Sequence, residues 1–110
     1  MSDLIYPEIS YRIVGAAFAV YNTLGPFYVE PVYQHSTEIE LIERGIYFNR
    51  KVPLDLEYRS YHVGDYELDL IVEKKIIVEL KAVETLHPKH TSQILQYLAM
   101  TGMKLGILVN

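Results

Sequence analysis

The chain has 110 residues, of which 50% are hydrophobic and 22% are charged, and its formal net charge is −4. These values predict one globular domain over residues 1–110, and the negative charge argues against a general nucleic-acid binder, whose affinity comes largely from cationic contacts to phosphates. The absence of cysteine excludes disulfides, thiolate metal sites and cysteine nucleophiles.

The first predicted helix covers residues 4–24. Its apolar side chains recur at three- and four-residue steps, which is typical of an amphipathic helix; they are Ile9, Ile13, Ala16, Val20 and Leu24. Gly25 followed by Pro26 is a strong stop signal.

The second predicted helix covers residues 29–44 and stops at Gly45. Pro31 then lies in the first turn, where the backbone N–H has no intrahelical partner anyway. Glu30 lies at the helix N-terminus, where the helix dipole favours a carboxylate, so its structural role would be capping. The expected inner face consists of Val29, Val32, Ser36, Ile39 and Ile42 or Glu43.

Three antiparallel strands are expected next. Residues 46–58 alternate apolar and polar side chains, and Pro53 places this strand at a sheet edge. Arg59 and Ser60 form the turn into a second strand, and the three residues 73–75 form the loop into a third.

The apolar pattern determines how the second and third strands pair. A one-residue slip would move a whole strand's side chains to the other face, and only one register gives an apolar face, with the pairs Leu70–Val78, Leu68–Leu80 and Val72–Ile76. This register places Asp69 opposite Glu79, and Glu67 opposite Lys81, on the other face.

Four charged side chains therefore gather in one patch. Opposed carboxylates repel each other across a strand pair, and Mg²⁺, which takes carboxylate oxygens and keeps several waters, would remove that repulsion. Lys81 beside the ion could orient a water or stabilise developing negative charge, and Glu30 could be a further acidic ligand. The alternative is a solvated face with a Glu67–Lys81 surface pair, and spacing alone does not decide between them.

A third helix and a last strand complete the chain. The helix is expected from Pro88 to Thr101, with an apolar stripe of Ile94, Leu95 and Leu98 joined by Thr91. Gln93 and Tyr97 are four residues apart and share a face, whereas His87 and His90 are expected to be solvated. The strand at 104–109 is apolar throughout, as in a central, parallel strand. The result is an α/β domain with a mixed sheet.

These motifs resemble a known superfamily. Asp69, nine intervening residues and Glu79-Leu80-Lys81 resemble the Asp…(Asp/Glu)-x-Lys signature of PD-(D/E)XK nucleases, and 93–97 resembles the Gln-x-x-x-Tyr helix motif of their exonuclease-like branch. The chain from residue 4 to 110 is also similar to the GxxExxY family of that superfamily. It departs from that family at Phe27, where the naming glycine stands, and at Glu67, where a basic residue is usual.

The resemblance implies a restriction-endonuclease-like core, in which two N-terminal helices and one helix before the last strand pack on a four-stranded mixed sheet. It implies hydrolysis of phosphodiester bonds, in DNA, with Mg²⁺ or Mn²⁺ as cofactor. Asp69 and Glu79 would hold the metal, and Glu30 would complete its shell directly or through water. Lys81 would position the attacking water or neutralise the transition state, while Gln93 and Tyr97 would orient Lys81 or the DNA backbone.

The alternative hypothesis is a non-catalytic interaction module. In it, the fold forms a homodimer or binds a protein partner through a tyrosine-rich surface or an open sheet edge. The net negative charge and Glu67 favour this module, and the intact Asp, Glu-x-Lys and Gln-x-x-x-Tyr set favours the enzyme. Apolar runs too short for a bilayer and an N-terminus without signal-peptide regions predict a cytoplasmic protein that does not contact membranes.

Overall fold

Three helices and a four-stranded sheet form the part of the chain that the computed structural model describes, residues 5–110. The elements are α1 (Pro7–Leu24), α2 (Glu30–Glu43), β1 (Phe48–Tyr58), β2 (Tyr61–Val72), β3 (Ile76–Leu80), α3 (Pro88–Thr101) and β4 (Leu105–Val109). The predicted order of elements is confirmed, and α3 has the predicted bounds. Leu4, where the first helix was predicted to start, lies outside the described residues. No helix in 5–110 has the length and apolar character needed to cross a membrane.

The strands lie in the order β1-β2-β3-β4, with β4 parallel to β3 and the other neighbours antiparallel. Pro53 lies in the outer strand β1, as predicted. The parallel direction of β4 is confirmed, but its predicted central position is wrong: among the described strands β4 pairs only with β3. Its side chains pack against the cores on both faces of the sheet, and that two-sided packing makes the strand apolar without requiring a second neighbour.

Positive backbone dihedrals mark both predicted hairpin connections. Arg59 and Ser60 have φ values of 52° and 70°, and Glu73 and Lys74 have φ values of 53° and 57°. Arg59 and Ser60 form a two-residue connection with both residues at positive φ, which matches the twist of antiparallel strands, whereas Glu73 and Lys74 belong to a three-residue loop. Both loops therefore lie where the sequence places them.

Helices cover both faces of the sheet. The core beneath α1 and α2 contains Ile13, Ala16, Leu41, Ile46, Leu70, Val72, Ile76, Val78 and Leu80. The core beneath α3 contains Leu68, Ile71, Ile77, Ile94 and Tyr97. The candidate acidic residues thus lie in a sheet that is packed on both sides.

The inner face of α2 differs from the prediction. Val29, Ile39 and Ile42 are exposed, whereas Gln34, Thr37, Glu38 and Leu41 are buried. The prediction from apolar periodicity was wrong because the sheet beneath α2 offers polar partners, so polar side chains can be buried at little cost when they are hydrogen-bonded.

The apolar stripe of α3 was partly predicted. Ile94 is buried and Leu98 packs against the core, but Leu95 is exposed and Tyr97 is buried in its place. At the helix start, His87 accepts a hydrogen bond from the Lys89 N–H, and His90 accepts one from the His87 N–H. The two histidines thus cap the helix.

Gly106 sets how closely α3 packs on β4. A Cβ atom at this position would lie 2.7 Å from Cγ1 and Cδ1 of Ile94. We expect Gly106→Ala to destabilise the protein by about 1–3 kcal/mol, because overpacking forces side chains and backbone to shift. Urea unfolding measures the loss. In an Ile94→Ala background the same substitution should cost much less, and an equal cost in both backgrounds would contradict this account.

Candidate metal centre

From the loop to Leu70, the β2–β3 hairpin pairs as predicted. Beyond Leu70 the regular backbone pairing stops. Leu70 pairs with Val78, and the two pairs nearer the loop follow the same register. At the next position the Leu80 N–H donates a hydrogen bond to Oδ2 of Asp69 over 2.8 Å. The predicted Leu68–Leu80 pairing is wrong: Leu80 lies in the core beneath α1 and α2, whereas Leu68 lies in the core beneath α3. A side-chain carboxylate therefore replaces the backbone ladder at this point.

Asp69 and Glu79 form a buried acidic pair. Only 7% of Asp69 and 4% of Glu79 is exposed, and Oε1 of Glu79 is buried without a hydrogen-bond partner. Burial, followed by the hydrogen bond and charge of Asp69, raises the pKa of Glu79 to about 9, although the Lys81 charge acts in the opposite direction. At neutral pH this pair therefore retains a proton, since two adjacent buried carboxylates cannot both ionise cheaply.

Lys81 and Tyr97 border the acidic pair. The Lys81 N–H donates to the Val109 carbonyl over 2.8 Å, which ties the chain after β3 to β4. Tyr97 packs edge-to-face on Tyr66, with ring centroids 6.0 Å apart. Burial and then the charges of Glu79 and Asp69 raise the pKa of the Tyr97 phenol, so the ring lies within the field of the pair. Gln93 is half-buried one helical turn earlier.

Glu30 acts electrostatically on His90, at the start of α3. Desolvation and the charges of Lys81, Lys89 and His87 lower the pKa of His90, whereas the Glu30 charge raises it. Among the hydrogen bonds within residues 5–110, none joins Glu30 to Asp69 or Glu79. The structure thus brings Asp69 and Glu79 together, with Glu30 near His90.

Gln34, one helical turn after Glu30, is the α2 residue that contacts the acidic pair. Its Nε2 donates to the Asp69 carbonyl over 3.1 Å and to Oε2 of Glu38 over 2.7 Å. Oε1 of Glu38 in turn accepts from Arg50 Nε over 2.9 Å. These hydrogen bonds, which run from the exposed Arg50 to the buried Glu38 and Gln34, hold the Asp69 backbone. Sequence analysis missed them because apolar periodicity assigned the wrong face of α2 to the core.

Lys51 is the second residue that sequence analysis missed. It stands opposite Asp69, between the pairs Arg50–Leu70 and Val52–Leu68. Its Nζ lies 3.3 Å from Oδ1 of Asp69 and 3.8 Å from Oε1 of Glu67. Glu67 therefore pairs with Lys51 of β1, and not with Lys81 as the solvated-face alternative required.

The two-residue turn does not by itself place Lys51. Continuing the register of the turn, in which Tyr58 pairs with Tyr61, would put Lys51 opposite Leu68. A register shift between Leu56 and Glu57 moves the pairing by one residue. No signal in the sequence located this bulge, so Lys51 could not be assigned to the site beforehand.

A second cluster of possible ligands lies farther along the β1–β2 hairpin. His62 hydrogen-bonds to Asp55 and, over 3.1 Å, to Asp65, and these two carboxylates raise the pKa of its imidazole. Ligand atoms of the three residues lie within 4.8 Å of one another. All three residues are exposed and satisfy one another, and Asp65 is four strand residues from Asp69, roughly 13 Å. This cluster is separate from the acidic pair.

One protein-family comparison matches almost the whole chain. The family described as the PD-(D/E)XK nuclease superfamily matches residues 7–110. The chain belongs to the PD-(D/E)XK nuclease superfamily. No curated protein and no solved structure matched. The α/β arrangement of three helices and a mixed four-stranded sheet agrees with the restriction-endonuclease-like core of these nucleases.

PD-(D/E)XK nucleases generally use divalent metal ions, and the residues present here fit one. Asp69 and Glu79 offer hard oxygen ligands of the kind that Mg²⁺ prefers. Oε1 of Glu79 is buried without a hydrogen-bond partner, and the raised pKa of this carboxyl shows that its charged form is disfavoured in the metal-free protein. A cation would supply the missing partner and stabilise the charged form.

Glu79 should make the metal-free protein less stable as pH rises. Its pKa is about 9 in the fold, against an ordinary glutamate value of 4.5, so between these values the folded chain holds a proton that the unfolded chain has released. Stability then falls with pH across this window. We expect Glu79→Gln to flatten that decline, as measured by urea unfolding at pH 5 to 9 with a chelator present. Glu57→Gln on exposed β1 is the control, and an unchanged slope in Glu79→Gln would contradict the expectation.

Proposed function

We propose that this member of the nuclease superfamily is a Mg²⁺-dependent enzyme that hydrolyses phosphodiester bonds in DNA. The observation that carries the proposal is the buried Asp69–Glu79 pair, with its unpartnered oxygen and with Lys81 two residues beyond Glu79. We also propose that the chain belongs to the GxxExxY branch, acts as one domain over residues 1–110 and works in the cytoplasm.

Asp69 and Glu79 would hold the ion, with Mn²⁺ as an alternative to Mg²⁺. Because Glu79 retains its proton in the metal-free state, loading would release that proton to solvent. A bound divalent ion supplies Lewis-acid activation of the phosphate and lowers the pKa of a bound water. Lys81, whose charge already acts on Glu79, would position the attacking water or neutralise developing negative charge.

The remaining residues would support this centre from the helices. Tyr97 is packed against Tyr66 and lies in the field of the pair, so it and Gln93 would orient Lys81 or the DNA backbone. Glu30 would act through a water, as a further acidic group at the α2 N-terminus. Gln34 would keep the Asp69 backbone in place through its hydrogen bond.

Asp69→Asn should abolish Mg²⁺-dependent cleavage, with a loss of at least about 100-fold, because it removes a charged ligand. The assay incubates the protein with single- and double-stranded DNA and RNA of defined sequence, with Mg²⁺ or Mn²⁺ and with a chelator. Calorimetric titration with the metal alone accompanies it and should detect binding to the wild type and not to the variant.

Glu57→Gln is the control, since Glu57 is exposed and belongs neither to the acidic pair nor to the Asp55–His62–Asp65 cluster. It should cleave and bind metal as the wild type does. Equal metal binding by the wild type and Asp69→Asn would remove the enzymatic proposal, and cleavage of RNA alone would contradict the choice of DNA.

The second candidate function is a homodimeric interaction module, which the surface of α1 favours. Tyr11, Phe18 and Tyr21 are 82%, 62% and 50% exposed, and Val14 is also exposed. Their spacing is that of a heptad seam, which packs against another helix. We propose a second copy of the chain as the partner. The chain has a net charge of −4, so two copies would repel each other through most surfaces, but this stripe is uncharged and can pack against its counterpart without that repulsion.

Phe18→Glu should shift a dimer to monomer, because it places two carboxylates in the proposed seam. Sedimentation equilibrium over a range of protein concentrations measures the change. Phe27→Glu is the control, since Phe27 is more exposed than Phe18 but lies beyond the end of α1. A wild type that stays monomeric at the highest concentration would exclude the homodimer.

A further inference from the structure

Lys51 has an unusual backbone conformation for its position. It lies inside β1 with φ of 47°, a value that is uncommon for any residue other than glycine. It also stands directly opposite Asp69, between the pairs Arg50–Leu70 and Val52–Leu68, which share one register. Conformations of this kind persist where the surroundings impose them, and they cluster at functional sites.

The side chain of Lys51 covers one oxygen of Asp69. Oδ2 of Asp69 is held by the Leu80 N–H at 2.8 Å, whereas Oδ1 has the Lys51 ammonium at 3.3 Å. Oδ1 is therefore the Asp69 oxygen without a backbone donor, and it is the one available to a cation. A metal ion and an ammonium group at the same oxygen would repel each other.

A second carboxylate offers Lys51 another place. Oε1 of Glu67 lies 3.8 Å from Nζ of Lys51, and the Glu67 side chain is 59% exposed. The ammonium can thus leave Asp69 and remain paired after a small side-chain movement. Lys51 and Lys81 also act on different members of the acidic pair, since Lys81 acts on Glu79.

We propose that Lys51 is a positioning residue that occupies Oδ1 of Asp69 in the metal-free protein and moves to Glu67 when a divalent cation binds. The proposal rests on the proposed function, because it takes Asp69 as a metal ligand. It makes Lys51 a competitor of the cation: the lysine keeps the buried acidic pair compensated when metal is absent, and it weakens metal binding as a result.

The test is calorimetric titration of Lys51→Gln with Mg²⁺ and with Mn²⁺. Removing the competing ammonium should lower the Kd for metal by about two- to fivefold, the range expected for loss of a partly exposed ion pair. Lys51→Arg should resemble the wild type because it keeps the charge. Lys51→Gly should bind metal as tightly as Lys51→Gln, since glycine adopts positive φ without strain, and it guards against misfolding of the glutamine variant.

One control separates this effect from general electrostatics, and a second variant removes the alternative partner of Lys51. Lys75→Gln removes the same charge at the far end of the β2–β3 hairpin and should leave the Kd within about twofold of the wild type. Glu67→Gln removes the second place for Lys51 and should weaken metal binding. If the Lys51–Asp69 pair only maintained the shape of the site, Lys51→Gln would instead raise the Kd for metal.

The outcomes distinguish the two proposals. If the wild type binds metal and Lys51→Gln binds it equally or more weakly, the role of Lys51 is wrong and the proposed metal centre stands. If neither protein binds metal, both proposals fail. Tighter binding by Lys51→Gln and Lys51→Gly, with Lys51→Arg unchanged, supports the competition.

Discussion

The burial of Asp69 beside Glu79 is the constraint on which the site depends. Two adjacent carboxylates removed from water are unfavourable unless something compensates their charge. In this chain the compensation comes from the Leu80 N–H, from the Lys51 ammonium and from a proton retained on Glu79. Regular backbone pairing between β2 and β3 ends at Leu70–Val78, and beyond it the Leu80 N–H binds the Asp69 side chain. The acidic pair therefore lies where the regular ladder stops.

The same constraint explains why α2 has a polar inner face. The Gln34 amide donates to the Asp69 carbonyl and to Glu38, and the exposed Arg50 donates to Glu38. Such hydrogen bonds specify one geometry, because losing a partner would leave the buried Gln34 or Glu38 with an unpaired polar group. On the other face Tyr97 and the apolar residues beneath α3 pack against the sheet.

The net negative charge of this chain is compatible with its membership of a nuclease superfamily when the local distribution of charge is considered. The overall charge of −4 disfavours binding of DNA over a broad surface, whereas Lys51, Lys81 and a bound cation would concentrate positive charge at one place. The exposed aromatic stripe of α1 lies outside this chemistry, which is why it favours a separate role in association.

The sequence by itself determined the order of the elements, the ends of α3 and the pairing of Leu70 with Val78, because apolar periodicity records which face of each element is buried. That register was enough to bring Asp69 and Glu79 together. Only the tertiary structure placed Lys51, through a bulge in the β1–β2 hairpin, and turned Gln34 toward the sheet. Bulges and buried polar contacts depend on partners distant in the chain, and periodicity carries no information about them.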